Sequence, residues 1–331
     1  DLFGALGMSV MPSVQHFVSN GEGWLLSLNQ AWDPARLHPR RMPVLIVPGY
    51  GMNSFVFGYH RHGRSFEASL VEAGFEVWRV DLRAQGPSKR AGGGRVFGLQ
   101  HLARTDLGAA IAAALDRTKT RASVVAIIGA SLGATLMFGH AALAGTARIG
   151  ALVAIGGPVR WVRVHPLLRV AFASPTLVGL VPVRGSRAMA RVALPHLLAR
   201  APSLLSIYMN AAHVDPSNVD ELSKTVEDPS RHVNRQIAEW IARRDLVLDG
   251  VDVTAALPGI RAPFLSVAAN ADGIVPRETT EYTHERIGSR DRQHIVVGTP
   301  TLAFGHADVF TSDHSEEHLY RPVRDWLLER T

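Results

Sequence analysis

Short apolar runs rich in β-branched residues alternate with longer amphipathic stretches over most of the chain. That rhythm predicts a mostly parallel sheet flanked by helices, with strands buried on both faces. "PVLIVPGYG" (43–51) predicts a short strand closed by Pro and Gly. "SFEASLVEAGFEVWRVDLR" predicts a helix stopped at Gly74, then a strand over Phe75–Val80. "GLQHLARTDLGAAIAAALDRT" has helical spacing, "SVVAIIG" is a strand, "SLGATLMFGHAAL" a helix and "IGALVAIGG" another strand. Later, "APFLSVAAN" and "RQHIVVG" repeat the strand pattern around helical "RETTEYTHERIG", and "SEEHLYRPVRDWLLER" is a closing helix. Trp24–Leu28 is expected as an early antiparallel strand. The apolar opening "DLFGALGMSVMPSV" is expected to pack, a membrane-proximal segment being the alternative.

One interval breaks the rhythm. From Gly157 to Asp249 no clear strand is visible, and short apolar-basic segments are split by Pro166, Pro175, Pro182, Pro195, Pro202 and Pro216. This predicts a helical cap over 157–249, inserted between core segments 1–156 and 250–331. Between Asp116 and Asp215 there is no Asp or Glu, while Arg160, Arg163, Arg169, Arg184, Arg187, Arg191 and Arg200 punctuate the interval. A solvated basic surface is the simpler expectation, and a peripheral contact with an anionic lipid surface is the sharper one. No nucleic-acid motif accompanies the charge, so no nucleic-acid partner is expected.

Composition narrows the chemistry. At 331 residues and 47% hydrophobic, the chain can build a large core. It has no cysteine, which excludes disulfides, thiolate metal sites and a cysteine nucleophile. No apolar run approaches the ~20 residues of a membrane span, so a soluble protein is expected, cytoplasmic by default. The chain starts at Asp1 and not at a methionine, which leaves room for a leader removed upstream. "HSEEH" (314–318) has metal-ligand spacing but no third ligand in view; a solvated helix face is expected there, and neither metal nor organic cofactor.

The candidate chemistry lies in "IIGASLGATL" (127–136), where Ser131 stands between Gly129 and Gly133 at a strand-to-helix junction. A serine hydroxyl is a poor nucleophile at neutral pH and needs a base, itself oriented by a third group. Open parallel sheets place ligands at the carboxyl ends of their strands, so the partners are sought there. "SVAANADGIVP" puts Asp272 just after one strand, and "VGTPTLAFGHADVF" puts His306 on the loop after the last. Asp308 and Asp313 rival Asp272 but lie too close to His306 in sequence. His294 lies inside a strand pattern, and His314 and His318 fall on the closing helix. Asp81, in "DLRAQGPS", is expected to cap or brace a turn. The developing oxyanion also needs donors: the N–H of Leu132 at the helix start and that of Tyr50 in "PGYGMN" are the candidates.

Taken together, "VPGYGMNSF", "VDLRAQGPS", "GASLG", "NADGIVP" and "GHADVF" resemble the α/β-hydrolase superfamily over nearly the whole chain apart from the middle insertion. The resemblance implies Ser131 as nucleophile, His306 as general base, Asp272 as orienting acid, and a cap over the site. Many members carry His-Gly where Pro48-Gly49 stands here. Residues 238–276 also resemble the region before the acid in polyhydroxyalkanoate synthases and acid lipases. The synthases use a cysteine nucleophile, which this chain lacks, and epoxide and haloalkane hydrolases need an aspartate where Ser131 stands.

The expected activity is therefore hydrolysis of carboxylic esters of a lipophilic acyl chain through an acyl-enzyme. Leu167, Leu168, Phe172, Leu177, Leu180, Leu197, Leu198, Leu204 and Leu205 are expected to give the cap an apolar inner face, or else to form its own core. Lipase, carboxylesterase, thioesterase and polyester hydrolase stay unseparated. An acyltransferase and a non-catalytic binding protein of the same fold are the alternatives.

Overall fold

Alternate side chains of the buried apolar runs feed two separate cores, one on each face of the sheet. In Val44–Val47, for example, Val44 and Ile46 join one cluster and Leu45 and Val47 the other, as the period of two requires. The computed structural model describes residues 12–180 and 183–330, so most of the apolar opening lies outside the described residues. The strands are β1 (Ser13–Ser19), β2 (Trp24–Ala31), β3 (Val44–Val47), β4 (Val77–Asp81), β5 (Lys89–Arg90), β6 (Val125–Ala130), β7 (Ile149–Ile155), β8 (Val247–Leu248), β9 (Val251–Asp252), β10 (Phe264–Ala269) and β11 (Arg292–Val297).

The main sheet runs β1-β2-β4-β3-β6-β7-β10-β11, with β5 beside β2. From β4 to β11 every pairing is parallel, while β1–β2 and β2–β4 are antiparallel. The central strands β3, β6 and β10 are buried at every position. The chain leaves β3 to form β4 on one side and β6 on the other. The switch point of the sheet is thus the crevice beyond the carboxyl ends of β3 and β6.

Helices α1 (Phe66–Glu72), α2 (Leu107–Arg117) and α3 (Leu132–Ala144) precede the insertion. In α3 all ten residues from Leu132 to Ala141 are buried, as befits a helix apolar on every side. Between β7 and β10 come α4 (Pro166–Ala171), α5 (Pro175–Leu180), α6 (Ser186–Arg200), α7 (Val219–Ser223), α8 (Arg231–Arg243), the β8–β9 hairpin and α9 (Val253–Ala256). Helices α10 (Arg277–Arg286) and α11 (Arg321–Leu328) complete the chain.

Three expectations need correcting. β1 is a strand that hydrophobic patterning did not reveal: its burial is mostly shallow, and it exists by pairing with β2 along one edge. β4 begins two residues later than expected, at Val77. The closing helix opens with a π-helical turn over Glu316–Tyr320, which leaves His314 in the turn before it. Among the described residues, no helix is long and apolar enough to cross a membrane.

Candidate active site

The turn from β6 into α3 is tight, and its glycines are dictated by packing. A Cβ on Gly129 would collide with the Ala134 backbone in the first turn of α3, and one on Gly133 with the Val47 carbonyl at the end of β3. Between them Ser131 takes φ 52° and ψ −120°, a conformation an L-residue adopts only under constraint. Its N–H donates to the Ile155 carbonyl at 2.8 Å, and its own carbonyl accepts from Ala134 at 3.0 Å. The backbone is pinned on both sides, and the side chain projects into the crevice, half-buried.

The structure brings the three distant residues together there. Ser131 Oγ lies 2.8 Å from His306 Nε2, and His306 Nδ1 lies 2.7 Å from Asp272 Oδ2. The Asp272 carboxylate is nearly inaccessible, its side chain 2% exposed. Its second oxygen accepts the N–H groups of Ile274 and Val275, both at 2.8 Å. With three bonds to one carboxylate, the buried charge is satisfied and its orientation is fixed.

Both candidate oxyanion donors line one small pocket, together with Gly49, Gly51 and Met52. Leu132 is the first residue of α3, so its N–H is one the helix cannot satisfy, and it stands at the positive end of the dipole. The loop after β3 approaches from the other side: a Cβ on Gly49 would lie 3.0 Å from the Ser131 Cβ. Tyr50 follows, with its hydroxyl donating to Asn234 Oδ1 of α8 at 2.7 Å. Among the described residues, neither N–H donates to a carbonyl or side chain.

Before Ser131 lies a cavity of about 120 Å³, walled largely by apolar side chains, including Met52, Val56, Leu194, Met209, Val219 and Phe310. None of the nine residues expected to give the cap an apolar inner face, or else its own core, lines this cavity. Leu167, Leu177, Leu180 and Leu204 are well exposed, and Leu168 and Phe172 pack against the core cluster on the α3 face. The insertion is apolar on more than one side of its helices, so spacing alone could not tell the inner stripe from the outer. The cap is also sewn to the loop after β3. Gly51 accepts from the Glu227 N–H, and Asn53 donates to the Thr225 carbonyl, each at 2.8 Å.

The rival residues have other partners. Asp81 accepts the Ser54 N–H at 2.6 Å and braces the turn after β3; burial pushes its carboxyl up to about 6. Asp313 pairs with Arg61 and His62, and His294 bonds Thr280. Asp308 pairs with His213, a residue that sequence reasoning passed over.

A mostly parallel sheet with a switch-point crevice, a strained serine on the strand-to-helix turn and a hydrogen-bonded Ser–His–Asp line define an α/β-hydrolase. The comparison with family models narrows this: residues 38–299 match the family described as serine aminopeptidase, S33, and the chain belongs to that hydrolase family. No curated protein matches it in sequence. Among solved structures it is similar to a thermophilic esterase from Thermogutta terrifontis (TM-score 0.61, 18% identity, 97% of this chain and 100% of that one). An esterase from Exiguobacterium antarcticum gives TM-score 0.63 at 19% identity over 95% and 100% of the two chains. The enol-lactonase of Burkholderia xenovorans LB400 gives 0.61 at 17%, also over 95% and 100%. At these identities the likeness is one of fold.

Proposed function

We propose that the protein is a serine hydrolase of carboxylic esters with a lipophilic acyl group. The observation that carries this is the continuous line from Ser131 through His306 to Asp272 at the mouth of an apolar cavity. His306 Nε2 takes the hydroxyl proton as Ser131 Oγ attacks the ester carbonyl. The N–H groups of Leu132 and Tyr50 receive the oxyanion, and Asp272 holds the imidazolium through Nδ1. The imidazolium then protonates the departing alcohol, leaving an acyl-enzyme. His306 activates water, the acid departs, and Ser131 recovers its proton. The three solved structures described above are themselves two esterases and a lactonase, which agrees with this chemistry.

The family's description raises a second substrate, a peptide with a free amino terminus. Such a substrate brings an ammonium group that needs a carboxylate in the cavity. Asp308 is the one acid among the described lining residues, and both its oxygens are already taken, one by two backbone N–H groups and one by His213. This favours an uncharged ester over an aminopeptide. The test is a panel of p-nitrophenyl esters of rising chain length alongside aminoacyl p-nitroanilides, for wild type and Ser131→Ala. Ester turnover that vanishes in the variant is expected; preferential anilide cleavage would overturn the ester assignment. Product analysis with an added alcohol separates hydrolysis from acyl transfer.

The cap surface supports a meeting with substrate at an anionic lipid surface. Leu167 and Val170 on α4, Leu177 and Leu180 on α5, and Met189 and Val192 on α6 form three i, i+3 pairs, each residue more than 60% exposed. Arg169, Arg184 and Arg200 are exposed among them, in a stretch without a single acid. Phosphatidylglycerol vesicles should sediment the protein and phosphatidylcholine vesicles should not, and Val170→Glu with Val192→Glu should abolish the difference. Equal sedimentation of wild type and variant would sink the idea.

A further inference from the structure

The sheet fixes Ser131 directly, but Asp272 and His306 both sit on loops. One cap segment, Ile207–His213, lies across both. The Ile207 carbonyl accepts the N–H of Gly273, next to Asp272, at 3.1 Å. The Tyr208 carbonyl accepts the N–H of Ala307, next to His306, at 3.0 Å. Asn210 Nδ2 donates to the Ala303 carbonyl at 2.8 Å. The approach is close enough to require glycine twice: a Cβ on Gly273 would lie 2.8 Å from Ile207 Cα, and one on Gly305 2.7 Å from Met209 Cα.

Asp308 is the knot in this arrangement. Its Oδ1 accepts the N–H of Gly305 on the His306 loop and that of Asn210 on the cap segment, each at 2.9 Å. Its Oδ2 accepts from His213 Nδ1 at 2.6 Å. The Asp308 side chain is fully inaccessible and that of His213 is 7% exposed. Both chain neighbours of His306 are thereby tied: Gly305 to Asp308, and Ala307 to Tyr208. His213 closes the assembly by bonding the carboxylate while its ring packs on Phe304, centroids 4.9 Å apart.

We propose that Asp308 and His213 are positioning residues for the reaction: the pair clamps the His306 loop to the cap, and the clamp sets the distance from His306 Nε2 to the Ser131 hydroxyl. This rests on the assignment of Ser131 and His306 above. The Nδ1–H of His213 is the donor, so a replacement that keeps a donor at that point keeps the clamp. The amide nitrogen of His213→Asn falls where Nδ1 stands, whereas His213→Leu fills similar space without donating. A displacement of the order of 1 Å at a general base costs about 10²-fold.

The experiment measures kcat and KM for p-nitrophenyl butyrate, together with the rate of Ser131 labelling by a fluorophosphonate, in wild type, His213→Leu, His213→Asn and Asp308→Asn. For His213→Leu, kcat and labelling rate should both fall about 10²-fold with KM nearly unchanged. His213→Asn should recover most of both, and Asp308→Asn should lie between. If His213→Leu does not fold, the same comparison is read from His213→Asn against Asp308→Asn. Equal kcat and labelling rates across the folded variants and wild type would overturn the proposal. Failure of the wild type itself to label would instead overturn the assignment of Ser131.

Discussion

Replacing Asp272 by Asn should separate orientation of His306 from folding of the site. Asp272 Oδ1 accepts two backbone N–H groups, from Ile274 and Val275, and Oδ2 accepts from His306 Nδ1. An asparagine has one oxygen for these three donors. Aiming it at the two backbone N–H groups keeps two bonds; the reversed amide would leave both unpaired and set its own NH2 against them. With about 1–3 kcal/mol for each buried donor left unsatisfied, the first orientation wins by about 2–6 kcal/mol. The amide NH2 then faces His306 Nδ1, which must accept. The ring proton moves to Nε2, where a base toward Ser131 is needed. A loss of about 10⁴ in kcat/KM is expected, equivalent to about 5 kcal/mol of transition-state stabilisation. The turn keeps its two bonds and loses a buried charge, so the thermal midpoint should hold or rise. Initial rates on p-nitrophenyl butyrate with a parallel melt by circular dichroism give both numbers. Activity within tenfold of wild type, in a folded variant, would refute the orienting role of Asp272.

The strain at Ser131 predicts an unusual order of stability among inactive variants. Its φ of 52° and ψ of −120° persist in Ser131→Ala and are relieved in Ser131→Gly. After the entropy cost of glycine, Ser131→Gly should be the more stable of the two by about 1 kcal/mol in urea; the reverse order would show the turn to be unstrained. Burial raises Asp81 to about 6, above its unfolded value of about 3.9. Its contribution to stability is therefore complete below pH ~4 and is lost as pH rises through about 6. Asp81→Asn can still accept the Ser54 N–H, so its stability relative to wild type should rise by about 1 kcal/mol between pH 5 and 8, read from urea midpoints; a flat difference would refute the shift. Leu194 faces the cavity, so Leu194→Trp should lower kcat/KM for octanoate at least tenfold relative to acetate, and an unchanged ratio would place the acyl chain elsewhere.

Residues announced by local geometry were legible in the sequence; residues that matter through distant contact were not. Ser131 stands directly at a strand-to-helix turn between two glycines, and Asp272 and His306 lie on the loops that follow β10 and β11; that placement after strands marked all three before any distance was known. Tyr50 and Leu132 were proposed by the same logic, from the loop after β3 and the first residue of α3. His213 carries no such mark. "SIYMNAAHVD" has neither helical nor alternating period, and its importance arises from Asp308, 95 positions away. The sequence-order argument that set Asp308 aside as the orienting acid agrees with the observed pairing, yet it offered no alternative partner. β1 escaped for a related reason: an edge strand with little burial lacks the apolar period by which strands are recognised.

The same division bears on the role proposed for the cap, a positioning element and not a cover alone. Ser131 is held by the β6–α3 turn, whose glycines bring strand and helix into contact. Gly156, with φ +57°, continues this at the end of β7: a Cβ there would stand 3.2 Å from His306 Cε1 and 3.4 Å from Asp272 Oδ2. The core therefore shapes the space into which base and acid fit, and Asn270 at the end of β10 ties their loops together, donating to the Thr299 and Leu302 carbonyls and accepting from the Phe304 N–H. A second tie comes from the cap: Ile207–His213 is bonded to both loops, and Thr225–Glu227 to the loop that carries Tyr50. On the proposed assignment, a change that loosens the cap should disturb the loops of His306, Asp272 and Tyr50 while sparing the Ser131 backbone. Such a change should lower the rate of the first chemical step and not only access to the cavity, so labelling of Ser131 by a small phosphonate distinguishes a positioning cap from a simple lid.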